Sequence, residues 1–172
     1  MVDVKSMSTQ TKISILYEKD YNLWLQENIA AIKEHRFNDI DYDNLLQELE
    51  DMGKAEKNAL ASNMKILIAH LLKLRIQNDA PYEMKKSWYE SVDEHRERVC
   101  DALLNTPSLK TYLPEAIEKS YSGARKLAIK EGKRAKYGVR KPSESEYPTD
   151  CPFSLEEILN EDFYYKFEEQ NN

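Results

Sequence analysis

Apolar positions along the first half of the chain recur at the three- and four-residue spacing of helices, not with the alternation of strands. Tyr17, Tyr21, Trp24, Leu25, Ile29 and Ile32 form one such seam and predict an amphipathic helix. Residues 36–41 break the pattern. Asp41 is then placed to cap a second helix carrying Leu45, Leu46, Leu49 and Met52. Gly53 is either a joint or an interruption that a helix tolerates at about 1 kcal/mol relative to Ala. Beyond it Leu60, Met64, Leu67, Leu71 and Leu74 form a stripe that Ile68, Leu72 and Ile76 widen. Apolar residues there cover more than half the helical circumference, the signature of a central, buried helix.

Asn78 to Pro81 reads as a loop, and the next helix presents Trp88, Val92, His95, Val99 and Leu103 on one face. Thr106-Pro107 opens a short turn through Tyr112. Pro114 starts a helix with Ile117, Tyr121, Ala124 and Ala128 that ends near Gly132. Residues 133–150 show no periodicity and are expected to be a mobile loop. Ser154 to Glu157 spells a capping box that opens a short helix through Asn160. The prediction is an all-α, single-domain bundle of about five helices with a short C-terminal helix. It occupies residues 14–165, between a disordered N-terminal tail (1–13) and a C-terminal tail (166–172). Trp24, Leu67, Leu71, Trp88 and Val99 are its expected core.

Composition agrees with helices: 4 Gly and 6 Pro in 172 residues leave little for the turns of a β sandwich. The 41% apolar fraction and 11 tyrosines oppose global disorder. Cys100 and Cys151 are too few for a disulfide framework or a four-ligand zinc site, which points to a reducing cytoplasm. The stretch Met1 to Thr11 has no apolar signal-peptide core, and Met64 to Ile76, interrupted by Lys65, His70, Lys73 and Arg75, is not expected to span a bilayer. The net charge of −6 is uneven. Arg125 to Lys141 holds eight bases and one acid, so the remaining residues hold 17 bases against 30 acids. The chain is an acidic body with one basic segment.

Ordered short motifs give this pattern a family likeness. Leu16-Tyr17-Glu18-Lys19-Asp20-Tyr21 through Trp24, Leu45 through Asp51-Met52-Gly53, and Ala69-His70-Leu71-Leu72-Lys73 resemble segments of the domain of unknown function (DUF) family 29. So do Ser87-Trp88, Pro107-Ser108-Leu109, Cys151 to Glu156 and Glu161-Asp162-Phe163. The resemblance runs from about Leu16 to Phe163 and implies an all-helical bacterial domain without an assigned activity. The chain departs from the family pattern at Asn63, where an Arg often stands, and in a longer connection before the Cys-Pro motif.

Candidate chemistry is sparse. His70 follows Asn63 by seven residues, so both lie on one helix face. That spacing loosely resembles the helical HEPN ribonucleases, in which such a pair polarises phosphate and activates a ribose hydroxyl. The alternative is a histidine at the border of an apolar face. His35, His70 and His95 have no i, i+3 or i, i+4 relation, so no metal site and no cofactor are expected. Asp39 to Glu56 holds seven carboxylates and one base. Glu48 and Asp51 share a face there, either as a cation site or as a solvated surface. Lys133, Arg134, Lys136, Arg140 and Lys141, with Tyr137 among them, are candidate phosphate contacts.

The expected function is a non-catalytic helical module that binds another protein or itself. The second reading is a nucleic-acid-directed protein, either an RNA-binding accessory or a HEPN-like ribonuclease using His70, and whether the chain is an enzyme stays open. Any nucleic-acid binding is expected to be weak and non-specific, and no membrane is involved.

Overall fold

The computed structural model describes residues 8–135 and 139–164. Within them lie six α-helices and no strand: α1 Thr9–Lys19, α2 Tyr21–Lys33, α3 Tyr42–Ile76, α4 Tyr82–Asn105, α5 Leu113–Gly132 and α6 Leu155–Leu159. Short 3₁₀ turns occupy Phe37–Asp39, Pro107–Tyr112 and Glu144–Glu146. Among the described residues no helix is long and apolar enough to cross a membrane.

The first seam is two helices, not one. Asp20 closes α1 by donating its N–H to Leu16 O (2.7 Å) and opens α2 by accepting the Leu23 N–H on Oδ1 (3.0 Å). An Asp carboxylate competes for backbone donors in this way, and at Asp20 the backbone leaves the helical region altogether. α1 itself begins at Thr9, capped by the Ser8 hydroxyl, inside the stretch expected to be a tail. Gly53, by contrast, is a tolerated interruption: α3 runs through it for 35 residues.

The chain divides into two compact units, Met1–Ala55 and Glu56–Asn172. The division falls within α3, in a stretch where every residue from 51 to 59 is exposed. The first unit has a small core of Ile13, Trp24, Ala31 and Ile40. Its polar centre is tied together: Trp24 Nε1 donates to Asp41 Oδ2 (2.9 Å), Asn44 Nδ2 to the same oxygen (2.7 Å), and the Asp41 N–H to Asn28 Oδ1 (3.0 Å). Asp41 thus stands just ahead of α3, as a cap would, and its carboxylate receives side chains.

The second unit has the larger core. Leu60, Met64, Leu67, Leu71 and Leu74 are buried as the stripe predicts, with Trp88, Val92, Val99 and Leu103 of α4 and Ala124 and Ala128 of α5. Three tertiary bonds lock it: Ser120 Oγ to Ala61 O (2.8 Å), Arg96 Nε to Ile158 O (3.0 Å) and Tyr164 OH to Leu71 O (2.9 Å). Gly132 permits a close approach, because a Cβ there would collide with the Tyr147 hydroxyl. The capping box at α6 forms both of its bonds, Glu157 N–H to Ser154 Oγ (3.2 Å) and Ser154 N–H to Glu157 Oε2 (2.7 Å).

Candidate functional site

The pair read from helical spacing does not act as a pair. Asn63 Oδ1 lies 2.9 Å from His95 Nδ1 of α4, while its Nδ2 donates to Ala59 O (3.0 Å). His70 is part-buried, and its Nδ1 has no hydrogen-bond partner among the described residues. Desolvation is the main force on its imidazole; with the charge of Lys73 and a smaller push from His95, against the pull of Glu131, it lowers the pKa to about 4. Burial also lowers His95. Both imidazoles are therefore neutral at pH 7, which leaves no cationic partner for a phosphate in this pair.

Lys73, a cation buried in the second unit, is already engaged. Its Nζ sits 2.5 Å from Glu131 Oε2 and 4.6 Å from the centre of the Trp88 ring. Desolvation lowers its pKa and the hydrogen bond to Glu131 raises it. Such a buried, doubly engaged ammonium is a structural tie. Beside it Gln77, 1% exposed, has neither amide atom partnered among the described residues.

Much of the basic segment is folded onto carboxylates and carbonyls. Arg140 meets Asp79 (3.4 Å) and Glu146 (2.5 Å) and donates Nη2 to Ile76 O (2.6 Å). Lys133 lies 3.6 Å from Glu144, and Arg125 donates to Tyr147 O, Pro148 O and Glu144 O. Residues 139–150, expected as a mobile loop, are held by these bonds and by the buried Tyr147. Arg134 and Lys141 are exposed; Lys136 and Tyr137 lie outside the described residues.

The acidic stretch is likewise spoken for in part. Glu48 accepts hydrogen bonds from Tyr17 OH (2.7 Å) and Tyr21 OH (2.9 Å); each bond raises the pKa of its own phenol, that of Tyr17 to about 12. Asp51 pairs with Lys54 at 2.9 Å. Among the described residues no three His, Cys, Asp or Glu side chains come together as metal ligands. His35 has a positive φ of 58° and stacks edge-on against Phe37.

What the sequence reading missed is the outer face of the first unit. The seam predicts burial for Tyr21, Leu25, Ile29 and Ile32, yet α2 buries Trp24, Asn28 and Ala31 and leaves those four exposed. Leu46, Leu49 and Met52 of α3 are exposed as well, with Tyr42. Eleven of the 13 exposed large apolar side chains among the described residues belong to this small unit. The bonds from Tyr21 to Glu48 and from Asn28 to Asp41 run α2 antiparallel to the start of α3. At 100° per residue, that pairing turns both apolar stripes to the same side, away from α1. The signal in the sequence is the breadth of the α2 pattern: its apolar arc is wider than one neighbouring helix covers.

No curated protein and no solved structure matches the chain. The family model described as domain of unknown function DUF29 matches residues 16–164, across both units, and the chain belongs to that family.

Proposed function

We propose that the protein is a non-catalytic interaction module that binds protein through the apolar face of α2 and the first turns of α3. The observation that carries this reading is the crowding of exposed large apolar side chains onto one small helical unit. Tyr21, Leu25, Ile29, Ile32, Tyr42, Leu46, Leu49 and Met52 are between 36% and 65% exposed. Each is roughly half exposed, and large apolar side chains crowded onto one face in this way mark an interaction site. Catalysis finds less support, because His70 and His95 are held neutral by burial, Lys73 is paired with Glu131, and Arg96 is spent on the carbonyls of Ile158 and Glu161. A cytoplasmic setting fits two unpaired thiols, Cys100 and Cys151, whose pKa values burial raises.

The test is site-specific photo-crosslinking in cells, with the photoreactive residue at Leu49 or Leu25 and, as a control, at the exposed Glu118 of α5. Discrete protein adducts from the first two positions and none from Glu118 support the module. Equal or absent adduct formation at all three overturns it.

A further inference from the structure

We propose that the occupant of the α3 part of this face is a second copy of the same chain, paired antiparallel along Tyr42, Leu46, Leu49 and Gly53. The proposal rests on the interaction-module reading and names its partner.

The first observation is the spacing. These four residues are separated by four, three and four positions. That is the seam of a helix pair packed at the shallow angle of bundles and coiled coils. The sequence of intervals reads the same in both directions. An antiparallel copy therefore brings Leu46 against Leu49 of the second copy, and Tyr42 against Gly53 of the second copy, twice over. A two-fold interface demands such a self-complementary patch.

The second observation is Gly53 itself. It stands inside a 35-residue helix, where glycine costs about 1 kcal/mol relative to Ala. Among the described residues nothing lies within 4 Å of a Cβ built there, so no contact with them calls for glycine. At the other end of the stripe Tyr42, 53% exposed, is the bulkiest residue of the series. Antiparallel pairing lays the large ring over the small residue, which removes the steric conflict and uses the space.

Charge agrees at the edges. Asp43 and Lys54 flank the stripe on the same side, about 90° to 110° from its centre on a helical wheel. In the paired arrangement Lys54 of each copy comes beside Asp43 of the other. Within one chain Lys54 has only exposed carboxylates, Asp51 at 2.9 Å and Glu50 at 3.8 Å, and exchanging such weak pairs across an interface costs little.

The experiment is sedimentation velocity on the purified full chain from micromolar to hundreds of micromolar concentration, with three variants. The wild type is expected to dimerise reversibly. Leu49→Glu is expected to be monomeric at every concentration with helicity unchanged. Gly53→Ala is the sharper variant, because it favours the helix yet fills the space under Tyr42 of the second copy. It is expected to raise the melting temperature of dilute, monomeric protein while weakening dimerisation about tenfold or more. Mixing Tyr42→Cys and Gly53→Cys chains under mild oxidation is expected to give a crosslinked heterodimer joined at those positions.

A wild type that stays monomeric throughout overturns the self-pairing. The module reading then stands or falls separately on crosslinking to a different protein. A dimer that Leu49→Glu leaves intact places the contact elsewhere and overturns the proposal. A dimer weakened by Leu49→Glu but not by Gly53→Ala, with no 42-to-53 crosslink, overturns the antiparallel register.

Discussion

His70 shows how a single residue's surroundings decide its chemistry. Its imidazole borders the apolar stripe of α3, faces Lys73, His95 and Glu131, and is held neutral chiefly by desolvation, with a pKa of about 4. In the unfolded chain an imidazole titrates near 6.5. Above that value neither state binds a proton there, and stability is unaffected. As the pH falls from about 6.5 towards about 4, the unfolded state takes up a proton that the folded state refuses, and stability falls. His70→Gln is therefore expected to lose less stability than the wild type between pH 7.5 and pH 5, as read from urea midpoints. The titrations of the carboxylates and of the depressed His95 are common to both proteins and cancel in the comparison. Equal slopes in the two proteins would show that His70 is solvated. That His70 sits at the border of a buried face was legible from its place on the wheel. So was the core: Trp24, Leu67, Leu71 and Val99 are fully buried and Trp88 nearly so. The partner of Asn63 was not legible. It is His95, 32 residues away on α4, and the register of α4 against α3 is written in no local pattern.

Elements were legible where local chemistry closes on itself. The Ser154–Glu157 box forms as spelled, and Pro107 and Pro114 stand at the starts of their turn and helix. The break at Asp20 was also spelled out, by a capping residue, but the apolar seam running across it concealed the signal. α6 gives the caps a measurable role. It is a single turn of five residues, too short to persist alone, yet it buries Ile158 and offers Ile158 O to Arg96 Nε. Ser154→Ala removes the acceptor of the Glu157 N–H and leaves the reciprocal bond, donated by the backbone N–H of residue 154 to the Glu157 carboxylate, in place. It is expected to cost about 0.5–2 kcal/mol in chemical denaturation, the range of N-cap losses. A loss near zero would mean that α6 is held by Ile158 and Arg96 alone. The 139–150 segment shows the opposite case. It carries no periodicity, and its order comes from Arg125 and Arg140 reaching carbonyls and carboxylates that lie far away in sequence.

Across the whole molecule charge is distributed as the sequence counts it, an acidic chain with one basic segment, but counting does not reveal which cations are free. Arg140 and Lys133 face Asp79, Glu146 and Glu144, and Arg125 is spent on carbonyls. Each such pairing subtracts a phosphate contact, because binding a nucleic acid would first have to displace the carboxylate. What remains for a phosphate backbone are a few exposed side chains such as Arg134, Lys141, Lys126 and Lys130. Against them stand 30 acids elsewhere in the chain. Binding through a handful of Lys and Arg contacts is driven by counterion release, so its logarithm falls with the logarithm of salt by about 0.7–0.9 per phosphate neutralised. RNA and DNA titrations at two salt concentrations are therefore expected to show weak, sequence-indifferent binding that is lost at the higher one. Replacing Lys133, Arg134, Lys136 and Lys141 by Gln is expected to weaken it sharply with helicity unchanged, leaving only Lys126 and Lys130 of the exposed cations named above. Arg140 is left in place because its bonds to Ile76 O, Asp79 and Glu146 hold the segment. Tight binding that tolerates salt and survives the four replacements would require a specific nucleic-acid site on another face, and the protein-interaction reading would give way to it.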